Sequence, residues 1–116
     1  MMNHNFRELK IWKESMELVK EIYKLTSQFP SDEKFGLISQ MNRCSISVPS
    51  NIAEGSGRTS TKEFLYFLNI SLSSTFELET QLLLSKDLFN VSIEEQIDKI
   101  HELQRMIIGF RKIIKK

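Results

Sequence analysis

Cysteine, proline and glycine are all scarce in this chain of 116 residues, which has one Cys, two Pro and four Gly. A single cysteine excludes an intramolecular disulfide and gives no indication of an oxidising compartment. Few prolines and glycines favour long helices over a turn-rich β architecture. No apolar run approaches the roughly 18 residues of a membrane span, and residues 1–10 lack the apolar segment of a secretion signal. These absences predict an all-α, cytoplasmic protein with no membrane partner.

The composition that remains is typical of one globular domain, with 41% apolar and 27% charged residues. A chain of this length can remove about two thirds of its unfolded surface from water. We therefore expect a single domain over residues 1–116. The formal net charge is only +1, so the whole chain has no strong electrostatic attraction to nucleic acid.

The spacing of apolar residues predicts four amphipathic helices. The first starts after Asn3 or Asn5 and ends at Phe29-Pro30, and the second opens near Ser31. The main apolar stripe of the first helix is expected at Phe6, Leu9, Trp12, Met16, Val19, Tyr23 and Thr26.

Capping boxes predict where the last two helices begin. In a capping box, a serine and a glutamate three residues apart satisfy each other's backbone donors. Ser60 and Glu63 start the third helix, which should run to about Leu88. Ser92 and Glu95 precede the fourth helix. Its seam is expected at Ile93, Ile97, Ile100, Leu103, Ile107, Phe110 and Ile114.

Four such helices joined by short loops predict an up-down-up-down four-helix bundle. Helix 2 should be kinked or should restart near Pro49, because proline removes one backbone donor and disfavours helical geometry at Val48. Further large apolar residues lie beside the main stripes, and we expect other subunits of a homo-oligomer to bury them. These residues are Ile11, Leu18, Ile22, Leu25, Phe76 and Ile108.

A stripe of polar residues follows helix 2 beside its apolar face. The stripe consists of Gln40, Arg43, Ser47, Asn51, Glu54 and Arg58, at spacings of three or four. Glu54 and Arg58 can pair on a helix, and Glu77 and Glu79 of helix 3 are candidate partners for the arginines. The favoured interpretation is a network that, with Pro49 and Gly55, sets helix or subunit register. Contact with a ligand or nucleic acid is the alternative.

No constellation of residues in the sequence indicates an enzyme, a metal site or a cofactor. Asp98-x-x-His101 is a single pair, whereas a di-metal bundle repeats such pairs on facing helices, and His4 lies at the start of the chain. Cys44 falls on the apolar stripe of helix 2, where a small buried thiol packs like an alanine. Residues 55–58 follow a helix rather than the strand that precedes a phosphate loop.

Several motifs, in order along nearly the whole chain, are those of a known family. They are Phe6-x-x-Leu9-x-x-Trp12, Phe29-Pro30-x-x-Glu33-x-Phe35-Gly36-Leu37, the run from Ser47 to Gly57 with Arg58, and Glu77-Leu78-Glu79-Thr80-Gln81. On these motifs the chain resembles the four-helix-bundle proteins encoded within intervening sequences of bacterial 23S ribosomal RNA genes. It departs from their pattern at Asn42, where a second arginine often precedes Arg43, and at Ser73, where glycine is common.

The resemblance implies a helical protomer that assembles into a ring with a central channel, in known relatives a homopentamer, with no established reaction. The accessory proteins of diversity-generating retroelements are similar in fold and act as ring-shaped partners of a reverse transcriptase and its nucleic acid. By that relation we expect a non-enzymatic, nucleic-acid-associated oligomer, and a reverse transcriptase is a candidate protein partner.

Two functional hypotheses remain open. In the first, the oligomer binds RNA or DNA through repeated basic patches, because avidity multiplies a modest affinity. The candidate residues are Arg43, Arg58, Arg105, Arg111, Lys112, Lys115 and Lys116, the last five of which follow Glu102 with no acidic residue among them. In the second, the protein is an interaction scaffold or accessory subunit without direct nucleic-acid contact, which the near-neutral net charge favours.

Overall fold

The computed structural model describes residues 5–115, and over that range the protein is all-α with no strand. Short 3₁₀ helices at Phe6–Glu8 and Ser31–Glu33 precede the first two long helices. The α-helices are α1 (Lys10–Thr26), α2 (Leu37–Ser56), α3 (Thr61–Phe89) and α4 (Glu94–Lys115). The predictions that concern Asn3, His4 and Lys116 lie outside the described residues.

Each α-helix packs against its neighbours in sequence, and α1 also packs against α4. This pairing is that of an up-down-up-down bundle. The prediction of four helices in an all-α chain is therefore confirmed. The core between the helices includes Leu18, Ile22, Met41, Val48, Ile52, Leu68, Leu78, Leu82, Ile100, Leu103 and Ile107.

Local capping fixes both ends of α3. The Ser60 Oγ accepts a hydrogen bond from the Glu63 backbone N–H at 3.1 Å, so α3 begins at the predicted capping box. The helix ends at Asn90, whose φ of 56° is left-handed and is a conformation that asparagine tolerates better than most residues. These two residues set the length of the longest helix.

α2 is continuous across Pro49, which is buried within it, so the expected restart at this position is wrong. The neighbouring helix supports the turn at the proline, because the Ser71 Oγ of α3 donates to the Val48 carbonyl at 2.9 Å. The Ser47 Oγ also lies 2.7 Å from the Ser74 Oγ. Small hydroxyl residues on α3 thus let the two helices approach closely, while a bend in α2 at Pro49 stays a prediction.

At Gly55 of α2 the α3 helix approaches closely. A Cβ at Gly55 would lie 2.8 Å from the Phe67 Cβ and 2.9 Å from the Phe64 Cδ1. Gly55→Ala should therefore lower the free energy of unfolding by about 1–3 kcal/mol through overpacking. Urea unfolding measures the change. Gly109→Ala is the control, because a Cβ there has no heavy atom within 4 Å and should instead stabilise α4 by about 0.5–1 kcal/mol.

The buried face of α1 differs from the one that the sequence predicts. Ile11, Leu18, Ile22 and Leu25 are at most 4% exposed and lie in the protomer's own core, so the expectation that other subunits bury them is wrong. The rotation of α1 about its axis turns these residues toward α2 and α4. Of the stripe expected to be buried, Thr26 is buried, and Leu9 and Trp12 pack partly buried against the core. Met16 and Tyr23 lie at the surface instead, with 36% and 44% exposure.

Other large apolar residues divide between core and surface. Phe76 is 51% exposed, as a residue available to a partner would be, whereas Ile108 is partly buried against the core. Leu83 of α3 is also 50% exposed. The seam of α4 is as predicted, with Ile93, Ile100, Leu103 and Ile107 buried.

Candidate nucleic-acid interface

The end of α4 lies beside the first half of α3, because the two helices are antiparallel. The Phe64 and Phe110 rings meet there with their centroids 5.6 Å apart. The same parts of α3 and α4 line a cavity of about 290 Å³, which we call the basic pocket. Its lining consists of Leu65 and Asn69 from α3 and Ile108, Arg111, Lys112 and Lys115 from α4.

The four α4 residues of this pocket share one face of the helix, because they are three or four positions apart. They are Ile108 and the basic residues Arg111, Lys112 and Lys115. Three of the six lining residues are cations, and none is a carboxylate. The carboxyl end of a helix carries only about half a negative elementary charge. The pocket therefore keeps a surplus of positive charge.

Arg111 is held in place by α3. Its Nη1 donates to the Asn69 Oδ1 at 2.6 Å, and its Nε is shielded from water and has no acceptor among the described residues. A buried donor without an acceptor costs about 1–3 kcal/mol. The edge of a guanidinium formed by Nε and Nη2 is one that binds oxyanions with two hydrogen bonds.

The structure does not bring the other predicted basic residues to this pocket. Arg105 is exposed and pairs with Glu102 at 3.2 Å. Arg58 lies just past the end of α2, where it pairs with Glu54 and has its guanidinium carbon 4.7 Å from the centroid of the Phe67 ring. Arg43 lines a different surface cavity, between α1 and α2, with Tyr23, Lys34, Ile38, Ser39, Asn42 and Ile46.

Sequence reasoning missed Leu65 and Asn69 as site residues. Asn69 and Arg111 are 42 residues apart, so no local spacing relates them. The run of cations at the end of the chain was the available signal for the α4 half of the pocket. The α3 half depends on which face of α3 packs on α4.

The polar stripe of α2 forms mainly local contacts. The Asn51 Nδ2 donates to the Ser47 carbonyl at 2.8 Å, and the predicted Glu54–Arg58 pair is present. Gln40 and Arg43 are exposed. Within the protomer the stripe thus supports α2 and its contact with α3, while a role in subunit register stays a prediction.

Glu79 does not pair with Arg43 or Arg58, because its side chain faces α4. One of its carboxylate oxygens lies 2.9 Å from the His101 Nε2, and the other accepts from the Gln104 Nε2 at 3.0 Å. Glu77 instead accepts from Gln81 within α3 at 3.4 Å. The predicted pairing of Glu79 with these arginines is therefore wrong, and its bonds tie α3 to α4.

These bonds make the stability of the bundle sensitive to acid. The hydrogen bond from His101, with that from Gln104, lowers the pKa of Glu79 below its ordinary value of 4.5. A lowered pKa in the folded state stabilises the protein above the unfolded pKa, and this contribution is lost as the pH falls through the folded pKa.

Glu79→Gln should therefore be less stable than wild type at pH 7, and the difference should shrink below pH 4.5. Urea unfolding at several pH values measures it. Glu102→Gln is the control and should change little, because its pair with Arg105 is exposed. A difference for Glu79→Gln that is independent of pH would contradict the assignment.

Cys44 has the environment of a packing residue. Its Sγ donates to the Ser74 carbonyl at 3.2 Å, and burial, with a smaller effect of the Glu77 charge, raises the pKa of the thiol to about 12. A nucleophilic cysteine needs the opposite shift. Within residues 5–115, no three His, Cys, Asp or Glu side chains are grouped closely enough for a metal ion.

Comparisons with known proteins concern the chain as a whole. The family model described as 23S rRNA-intervening sequence protein matches residues 7–109. A crystal structure from Bacteroides thetaiotaomicron, of a protein with unknown function from the S23 ribosomal protein family, is similar with a TM-score of 0.78 and 25% sequence identity. That match covers 91% of this chain and 96% of the other. No curated protein matches. None of the described helices is both long and apolar enough to span a membrane.

Proposed function

The chain belongs to the 23S rRNA-intervening sequence protein family, and we propose that it is a non-enzymatic, cytoplasmic homo-oligomer that binds RNA or DNA through the basic pocket. The observation that carries this proposal is the convergence of Arg111, Lys112 and Lys115 on one cavity that no carboxylate lines. Phosphate contacts supply most of the affinity of proteins for nucleic acids, and lysine and arginine provide them.

Oligomerisation would present the basic pocket several times to one polyanion, and a homopentamer is the form that the family resemblance implies. An exposed apolar groove between α1 and α2 supports assembly. We call the groove of about 300 Å³ lined by Trp12, Met16, Val19, Ile46, Pro49, Ser50 and Ala53 the apolar groove. Such a surface is typical of protein–protein contact.

Fluorescence anisotropy with structured RNA and duplex DNA at several salt concentrations tests the proposal. The logarithm of the affinity should fall linearly with the logarithm of the salt concentration. Each phosphate that is neutralised contributes about −0.7 to −0.9 to the slope, and several pockets on one polyanion would steepen it. Absence of binding at low salt would refute nucleic-acid association.

The second candidate function is a protein-interaction scaffold, for which a reverse transcriptase is one possible partner, and the apolar groove favours it. Ile46 lies in the groove and is 42% exposed, so Ile46→Glu should leave the protomer folded but shift sedimentation toward smaller species. Ile113→Glu is a matched control, because Ile113 is 69% exposed on α4 outside the groove.

The two candidate functions predict different nucleic-acid affinities for the smaller species. If avidity supplies the affinity, a long RNA should bind the Ile46→Glu variant about 100-fold more weakly than wild type. A variant that loses assembly with no change in nucleic-acid affinity would favour the scaffold. A sedimentation profile identical to wild type would contradict a role of the groove in assembly.

A further inference from the structure

The shape of the basic pocket restricts what can enter it. A volume of about 290 Å³ is roughly ten times the share of one water molecule in the liquid, about 30 Å³. Lys112 and Lys115 are exposed, whereas Arg111 is partly buried between the two helices, so the Arg111 guanidinium is reached by a group that projects into the cavity. The end of a strand projects in this way, whereas a phosphate within a duplex is joined to nucleotides on both sides.

The charge of the pocket also favours a terminal group. A phosphomonoester carries about −1.5 to −2 charges and three free oxygens at neutral pH. A phosphodiester carries a single negative charge and two free oxygens. The three cations of the pocket match the monoester better. Because Asn69 already holds the Arg111 Nη1, the Nε and Nη2 edge remains for two of the phosphate oxygens, and a phosphate that binds there must displace the side chains that shield the Nε from water.

The apolar residues of the lining favour the end of a strand over a free phosphate ion. Leu65 and Ile108 offer no hydrogen bond, and a hydrated inorganic ion gains nothing from them. The sugar next to a terminal phosphate can pack on such side chains. No aromatic residue among residues 5–115 lines the cavity, so stacking on a base does not contribute there, and base identity should matter little.

We propose that the basic pocket binds the phosphomonoester at the end of a nucleic-acid strand. Arg111 would bind the phosphate through its Nε and Nη2 edge, Lys112 and Lys115 would neutralise its second charge, and Asn69 is a positioning residue for Arg111. This inference rests on the proposed function, since it specifies which part of a nucleic acid the pocket takes.

Three single-stranded RNAs of one sequence, each with an internal fluorophore, test the inference. One carries a 5′-phosphate, one a 3′-phosphate and one hydroxyls at both ends. Anisotropy titration of the full chain should give at least one phosphorylated RNA a tenfold higher affinity than the unphosphorylated RNA. Arg111→Gln should abolish that preference, and Arg111→Lys, which keeps the charge but not the fork, should reduce it.

Two controls separate a pocket from a general charge effect. Arg105→Gln removes the same charge from the same helix outside the pocket and should keep the full preference. Asn69→Leu keeps every cation and should weaken the preference, because Arg111 loses the acceptor that positions it. Circular dichroism checks that each variant is folded, and Arg111→Lys covers the case in which Arg111→Gln is not.

The outcomes distinguish this inference from the proposed function. Equal affinity for the three RNAs, with clear salt dependence, would overturn the strand-end assignment and leave nucleic-acid binding intact. Inorganic phosphate that competes as well as a nucleoside monophosphate would overturn it too, because the apolar walls would then contribute nothing. Binding of none of the RNAs would refute the proposed function itself.

Discussion

Leu18→Ala should lower the free energy of unfolding by about 2–5 kcal/mol, because Leu18 is only 1% exposed and truncation leaves a cavity between α1 and its neighbours. Met16→Ala is the matched control on the same helix. Met16 is 36% exposed at the edge of the apolar groove, so its truncation should cost well below half as much. Urea unfolding at one fixed protomer concentration measures both, since assembly makes stability depend on concentration.

The comparison decides which face of α1 lies in the core. A larger loss for Met16→Ala than for Leu18→Ala would mean that the stripe of Trp12, Met16, Val19 and Tyr23 is the buried one. The two variants should also differ in assembly. Met16→Ala removes contact area from the apolar groove and should weaken association of subunits, whereas Leu18→Ala should act on the fold of each protomer.

Replacement of Arg111, Lys112 and Lys115 together by glutamine should lower nucleic-acid affinity by about two orders of magnitude near 0.1 M salt. Each lost phosphate contact should also reduce the salt slope by about 1. The physical reason is that a site without its cations neutralises less phosphate charge and so releases fewer counterions. Anisotropy titration at several salt concentrations measures both quantities in one experiment.

A matched triple variant controls for the change in net charge. Lys20, Lys24 and Arg105 are exposed and lie outside the basic pocket, and their replacement by glutamine removes the same three charges. We expect a small loss of affinity and little change of slope from it. Equal losses for the two triple variants would place binding in the diffuse charge of the protein and would contradict a localised interface.

Features governed by neighbouring residues could be predicted from the sequence. The start of α3 follows from Ser60 and Glu63, which are close in the chain and need no tertiary information. The seam of α4 could also be predicted, because its polar residues leave one apolar face. Here the hydrophobic period and the tertiary contacts agree.

The orientation of α1 could not be obtained in the same way. Both of its stripes are apolar, one through Leu18 and one through Met16, and each has helical spacing. Only the shapes of α2 and α4 decide between them, and those contacts are distant in sequence. The continuity of α2 at Pro49 also involves a contact that is distant in sequence, because the Ser71 hydroxyl of α3 donates to the Val48 carbonyl there.

The candidate site also has a part that the sequence predicts and a part that it does not. Arg111, Lys112 and Lys115 were visible in the sequence as a run of cations without acidic neighbours. Asn69, which positions Arg111, was not, because a contact between residues of different helices has no local signature. The same holds for Glu79, whose partners on α4 include His101 rather than the arginines of α2.

The most direct test of nucleic-acid binding through the basic pocket is photo-crosslinking of the full chain to RNA that contains 4-thiouridine, followed by mass spectrometry of the crosslinked peptides. We expect crosslinks to concentrate in residues 65–69 and 108–115, and we expect the glutamine variant of Arg111, Lys112 and Lys115 to lose them. Crosslinks concentrated in residues 34–46 instead would place the interface at the cavity beside Arg43 and would contradict the account.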